Sequence, residues 1–343
     1  MDITRDSFSA AADKLADKEH RRGIWEVWAK YDIRQRKDGH RYVLRVEPDE
    51  SELPPRVDLA EALEKTGGVV APGSPEEELM ERAMERQQLR KEGWVYWPLV
   101  EKPGLFLEFA RLADDGRLDN AATRDELDTD KNAVAAWDWA WEHGTLGLTR
   151  VGPDEFDFRG ASTLGGEVDT VAAFAHEAWV ANGCLRLFEA ATAEELDVDL
   201  IASYLTPRGK ARFAHSPPAT IRAFALDIVA TETQHRIAGD VYPALYGKVD
   251  KLTAGWSFTS LLGAMWLQMF WLLTATEAPQ RCNYCDKIIA YEQPEQPLQG
   301  VKRNDRSAGY RTRRDKGYCD KTCRDRHYYL TVTKPRRKAA RTE

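Results

Sequence analysis

The sequence predicts a mainly α fold with a small β contribution: a helical body over residues 1–277, then a compact cysteine-bearing unit. Three observations carry this expectation. Beyond Asp169 the chain runs in long apolar-periodic stretches separated by proline breaks, the pattern of packed helices. Strand formers in partial alternation gather at one place in the body, residues 41–46. Four of the five cysteines fall after position 281, in two close pairs.

Taken in order, residues 1–22 carry Phe8, Ala11, Ala12 and Leu15 at helical spacing on a charged background, a surface helix. A turn at Lys37-Asp38-Gly39 leads into the strand at 41–46, and residues 57–65 form a short helix closed by Gly67-Gly68. Ser74-Pro75-Glu76-Glu77 opens a charged helix over 74–91, with a capping serine, proline in the first turn and Glu77 completing a capping box. Pro103 starts a short helix to Ala113. The segment from Asp114 to Asp130 has seven carboxylates and few large apolar residues, which makes it an acidic surface loop. Its Asp128-x-Asp130 pair lacks the glycine and closing glutamate of a calcium loop. A tryptophan-bearing helix follows over 132–144, and four more are expected at 171–191, 197–204, 220–237 and 256–276. A sub-boundary falls near 150–168.

The last of these helices lies in 25 uncharged residues, 252–276, long enough to span a bilayer. The stretch contains Ser257, Thr259, Ser260, Gln268, Thr274 and Thr276, and its most apolar part is only about a dozen residues, which favours a buried helix over a membrane span. Residues 1–20 lack the apolar run of a signal peptide, and the paired cysteines suit a reducing compartment, so a cytoplasmic location and no membrane partner are expected.

The body offers no recognisable catalytic constellation. His176-Glu177 has valine at position 180, where a second metal-binding histidine would stand. His235 suits a helix C-terminus, and Cys184 suits the role of a small buried hydrophobe. No Gly-x-Gly-x-x-Gly, phosphate-binding loop or Gly-x-Ser-x-Gly elbow is present. The eleven tryptophans are best explained as core anchors.

Chemistry concentrates at the end of the chain. Cys282-Asn283-Tyr284-Cys285 is followed, after 33 residues, by Cys319-Asp320-Lys321-Thr322-Cys323. Gaps of two and three residues let both thiolates of a pair reach one metal, so Cys282, Cys285, Cys319 and Cys323 are read as ligands of one structural Zn2+. Asp320 is placed to cap a helix carrying Cys323 in its first turn, where the helix dipole favours a thiolate. His327, four residues further on, is a second-shell or alternative ligand.

A knuckle, a hairpin and a helix opening on the second pair resemble the treble-clef zinc fingers. Tyr318-Cys319-Asp320-Lys321-Thr322-Cys323-Arg324 is similar to the aromatic-Cys-Ser-x-x-Cys-Arg ending of small bacterial fingers, with aspartate for serine. Fingers of the CGNR type are related in outline, but Cys323-Arg324-Asp325-Arg326 lacks their Gly-Asn. The body also resembles a group of uncharacterised bacterial proteins, a likeness that implies no activity.

Charge divides at the same place. Residues 281–343 hold 17 Lys+Arg and 8 Asp+Glu, a balance of +9; residues 1–280 hold 32 and 48, a balance of −16. Lys302, Arg303, Arg306, Arg311, Arg313, Arg314 and Lys316 crowd the loop and an expected returning strand at 311–318. Arg324 and Arg326 follow on the helix, with Tyr310, Tyr318, Tyr328 and Tyr329 interleaved. Cations beside aromatic rings suit phosphate contact with stacking. The expectation is therefore a finger at 278–330, a basic disordered tail at 331–343, and zinc-dependent nucleic-acid binding, DNA favoured over RNA, in a regulatory or accessory role. The alternatives are an enzyme with an unrecognised helical site and a purely structural finger, or a protein-interaction adaptor that binds a partner or itself through the body.

Overall fold

The computed structural model describes residues 25–27, 30–35, 39–45, 94–151, 166–205, 210–211, 213, 216–248, 251–294 and 317–335. The expected helices at 1–22, 57–65 and 74–91, and most of the expected strand at 311–318, lie outside the described residues. Within them the protein is mainly α with small antiparallel sheets, as the sequence predicts. The chain divides into two compact units, one of Glu26–Tyr96 and Gly116–Glu177, the other of Met1–Trp25, Trp97–Asp115 and Ala178–Glu343.

The first unit is built on a four-stranded sheet in the order β2 (Tyr31–Gln35), β3 (Arg41–Arg45), β6 (Gly166–Thr170), β5 (Thr149–Val151), every pairing antiparallel. The strand expected at 41–46 is central β3, but its neighbours were not expected. Gly39, at φ +88°, lies between β2 and β3 in a conformation that costs other residues. A separate pair joins β1 (Trp25–Val27) to β4 (Trp94–Tyr96).

Edge strand β2 is blunted by side chains. Trp137 Nε1 donates to the Tyr31 carbonyl at 3.1 Å, and the Ile33 N–H donates to the Asp32 carboxylate at 2.9 Å. Trp137 lies on α3 (Asp130–His143), which Thr129 caps through the Asn132 N–H. The Asp128–Asp130 pair has a structural task. Asp128 accepts from the Arg41 N–H at 2.8 Å and from its Nε at 2.6 Å, and Asp130 takes the same guanidinium. The acidic loop is therefore tied to the sheet. Fully buried Asp169 accepts from the Leu146 N–H and, at 3.0 Å, from the Leu148 N–H; burial pushes its carboxyl up to about 6 against those bonds.

The second unit surrounds α7 (Leu261–Thr274), in which Leu261 through Met269 are all buried. Preceding α7 in the chain are α1 (Pro98–Glu101), α2 (Leu105–Asp114), α4 (Val171–Thr192), α5 (Val198–Ser203) and α6 (Pro218–Ile237); α4 begins in the sheet unit and passes into this one after Glu177. Gln268 explains how a polar residue sits at the centre of α7. It accepts from the Phe106 N–H at 2.9 Å, one of the first N–H groups of α2, and donates to the carbonyls of Pro98 (3.2 Å) and Lys102 (2.8 Å), so its amide is satisfied by the backbone of α1 and the start of α2. Phe106 meets Trp266 edge-on at 5.3 Å, and the Arg236 guanidinium lies 5.2 Å from the Trp266 ring. Among the described residues no helix is long and apolar enough to cross a membrane.

One boundary differs from expectation. The helix expected at 256–276 begins only at Leu261, capped by Ser260, whose hydroxyl accepts from the Gly263 N–H at 2.9 Å and donates to Asp240 at 2.8 Å. The preceding residues form β8 (Lys251–Phe258), paired with β7 (Val241–Lys248), and Pro243 stands opposite Trp256. Leu252, Ala254, Trp256 and Phe258 alternate with Thr253, Gly255 and Ser257, a period of two that the absence of charge conceals. Proline fits because a two-stranded ribbon leaves one side of each strand unpaired.

Candidate metal centre

The first half of the centre is a tight knuckle between two short strands. β9 (Gln280–Arg281) pairs with β10 (Ile288–Ala290), Arg281 opposite Ile288. Between them the Cys282 N–H donates to the Lys287 carbonyl at 2.9 Å, and the Asp286 N–H donates back to the Cys282 carbonyl at 3.0 Å. Asp286 closes the loop at φ +59°, a left-handed conformation that aspartate tolerates better than most residues. Cys282 is buried and Cys285 exposed.

The second half joins the first at Gly317, whose carbonyl accepts from the Asn283 N–H at 2.9 Å. A Cβ on Gly317 would stand 2.7 Å from Asn283 Nδ2, so any larger residue there displaces the end of the Asn283 side chain. After Tyr318 and Cys319 comes Asp320, the N-cap of α8 (Lys321–Tyr328), whose carboxylate accepts from the Cys323 N–H at 2.7 Å. That bond holds the Asp320 carboxyl below its usual range. Cys323 sits in the first turn of the helix, as the sequence predicts, and the chain stays helical through a π turn at Tyr329–Thr333.

These two halves bring the sulfurs of Cys282, Cys285, Cys319 and Cys323 within 4.8 Å of one another. Cys285 and Cys319 are 3.7 Å apart, and Cys319 and Cys323 are 3.3 Å apart. Metal–sulfur bonds of about 2.3 Å in a tetrahedron place the sulfurs ~3.8 Å from one another, close to this spacing. All four are free thiols. Burial works against ionising Cys282, but N–H groups of Cys285, Cys319 and Tyr284 donate to its sulfur and bring it down to about 6. Cys319 moves the other way: burial, then the sulfurs of Cys323, Cys285 and Cys282, push its thiol well above the usual range. Once deprotonated, four sulfurs at this spacing can all reach one cation, which would offset their mutual repulsion, so the residues fit one metal ion. His327 is outside this group; its Nδ1 is 2.8 Å from the Tyr318 hydroxyl.

The knuckle is also docked onto the helical unit. The Glu189 carboxylate on α4 accepts from the Ile288 N–H at 2.7 Å and lies 3.9 Å from the Arg111 guanidinium, which itself donates to the Ile288 carbonyl. Lys287 pairs with Asp114 at 2.8 Å. Arg281 donates to the Thr192 hydroxyl at 2.6 Å and to Asp286 at 2.9 Å. Burial raises the Glu189 carboxyl, while the Ile288 N–H and the charges of Arg111, Arg281 and Lys287 work against that rise. Around the knuckle Cys282, Ile288 and Ala290 are buried, whereas α8 buries no residue at all.

No family model, curated protein or solved structure matches the chain.

Of the basic residues expected to meet nucleic acid, Arg324 and Arg326 lie exposed on α8. Lys302, Arg303, Arg306, Arg311, Arg313, Arg314 and Lys316 are outside the described residues. Sequence reasoning missed the docking set of Arg111, Asp114 and Glu189. They lie roughly 90 to 180 positions before the groups they bind, and no local pattern marks them.

Proposed function

We propose that this protein is a zinc-dependent nucleic-acid-binding factor, with one structural Zn2+ held by Cys282, Cys285, Cys319 and Cys323 in a treble-clef-type arrangement. The sulfur spacing supports zinc, and four protein ligands leave no open coordination position, which argues for a structural ion. The knuckle followed by a helix opening on the second pair supports the treble-clef reading. His327 acts behind the ligands, hydrogen-bonded to Tyr318.

The nucleic-acid reading rests above all on the exposure of α8. A helix that buries none of its residues, carries Lys321, Arg324 and Arg326, and is mounted on a docked knuckle is built to meet something outside the chain. The +9 balance of residues 281–343 against an acidic remainder makes that partner an anion. Lys302, Arg303, Arg306, Arg311, Arg313, Arg314 and Lys316 add seven further cations to this part of the sequence. The role is regulatory or accessory, in a cytoplasm, with DNA ahead of RNA. A salt series tests it. Affinity of the zinc-loaded full chain for labelled DNA falls steeply between about 50 and 200 mM salt, and R324E/R326E weakens it roughly tenfold or more. Salt-independent binding, or an indifferent variant, overturns the reading.

A second reading has its own observation. The ion pairs and hydrogen bonds around Glu189, Arg111, Asp114 and Lys287 make the knuckle a staple on the helical unit. If metal removal destabilises that unit and no nucleic acid binds at low salt, stapling is the whole role.

A further inference from the structure

We infer that the partner of α8 is a single strand of nucleic acid, held by unpaired bases stacking on Tyr328 and Tyr329; this deepens the nucleic-acid reading above and rests on it. Three successive residues at the end of the helix, Tyr328, Tyr329 and Leu330, are 58%, 47% and 44% exposed. Successive helical residues are about 100° apart, so this apolar surface wraps more than half of the helix. A helix that reads a duplex groove needs polar side chains reaching base edges over that arc, because paired bases present edges and hide their faces. Here the arc offers rings and an aliphatic side chain instead, which suit base faces that only unpaired strands expose.

Charge complements this choice. Lys321, Arg324 and Tyr328 follow one another at i, i+3 and i+7, so two cations and a ring share one stripe of the helix. A strand laid along the stripe meets phosphate partners first and a stacking platform next. The nearby carboxylates are engaged locally, Asp320 as the helix cap and Asp325 against Arg324 at 3.3 Å. The π turn at Tyr329–Thr333 re-aims the side chains that follow it, a distortion common where helices do chemistry or binding.

The experiment compares labelled dT16 with a 16-bp duplex on the zinc-loaded full chain at low salt, for the native protein, Y328A/Y329A and Y328F/Y329F. Because both tyrosines are exposed, the variants keep the native thermal transition. The inference expects dT16 to bind at least about tenfold tighter than duplex, the alanine pair to lose roughly tenfold or more, and the phenylalanine pair to recover most of it. Equal or tighter duplex binding, or an indifferent alanine pair, overturns single-strand stacking while leaving nucleic-acid binding intact. Loss of a dimer in Y328A/Y329A with unchanged dT16 affinity makes the patch a self-association surface and also overturns it. Failure of both probes to bind removes the underlying reading as well.

Discussion

The two halves of the cysteine unit supply two sulfurs each to one cluster, but they stand in opposite surroundings. The knuckle around Cys282 and Cys285 buries Cys282, Ile288 and Ala290 and is tied to α2 and α4 through Arg111, Asp114 and Glu189. The half bearing Cys319 and Cys323 buries nothing in its helix and meets the knuckle through the sulfurs and the Asn283–Gly317 bond. A metal between such halves acts unequally. Bound there, it would add to packing that already exists in the knuckle, whereas for α8, which buries no residue, it would be the main link to the rest of the chain.

The largest test of that asymmetry is metal removal. Structural zinc contributes on the order of 10 kcal/mol or more to folding its site. Chelation, or C282S/C319S, is expected to strip hydrogen-exchange protection from residues 317–335 while α7 stays protected. Equal loss in both places would make the halves equivalent.

Next in size is a control in the sheet unit. Asp169 titrates near 6 in the folded protein and near 3.8 when unfolded, so its contribution is fully present below pH ~4 and lost as pH rises through ~6. A shift of about two units corresponds to about 3 kcal/mol. Subtracting the pH–stability curve of D169N from that of the native protein is expected to show this loss between pH 4 and 6. A flat difference curve would mean that Asp169 ionises freely in its buried site.

Removing the knuckle's anchor has a smaller effect. Glu189→Ala leaves the Ile288 N–H unpaired and takes the carboxylate from beside Arg111, for about 2 kcal/mol in denaturant unfolding; Glu189→Gln, which keeps an acceptor, costs less. Zinc stoichiometry is expected to survive both changes. Smallest is Gly317→Ala, which crowds Asn283 and costs about 1 kcal/mol in metal-loaded stability. Adding Asn283→Ala is expected to recover part of it, because the crowded atom is the end of that side chain.

Much of the exposed half was legible in the sequence, because its chemistry is local. Cys319, Asp320 and Cys323 lie within five residues, and a capped helix with a thiolate in its first turn follows from their order alone. The buried α7 was legible as an apolar run too short for a bilayer. The cysteines of the other half were legible too, but its docking was not, since Glu189 and Arg111 meet Ile288 across roughly 100 and 180 positions. The β7–β8 ribbon was hidden by composition: an uncharged run reads as helix or strand according to its period, and Trp256 and Phe258 continue smoothly into the helix that starts at Leu261. The Asp128–Asp130 pair shows the same limit, since acidic loop residues cannot announce an arginine at position 41.

The central claim, one zinc ion joining a docked knuckle to an exposed helix through four cysteines, is tested most directly by zinc-edge X-ray absorption on the full-length protein. The account predicts one zinc per chain with four sulfur neighbours at about 2.3 Å. A shell containing a nitrogen neighbour at about 2.0 Å, or a chain that binds no stoichiometric zinc, would contradict it.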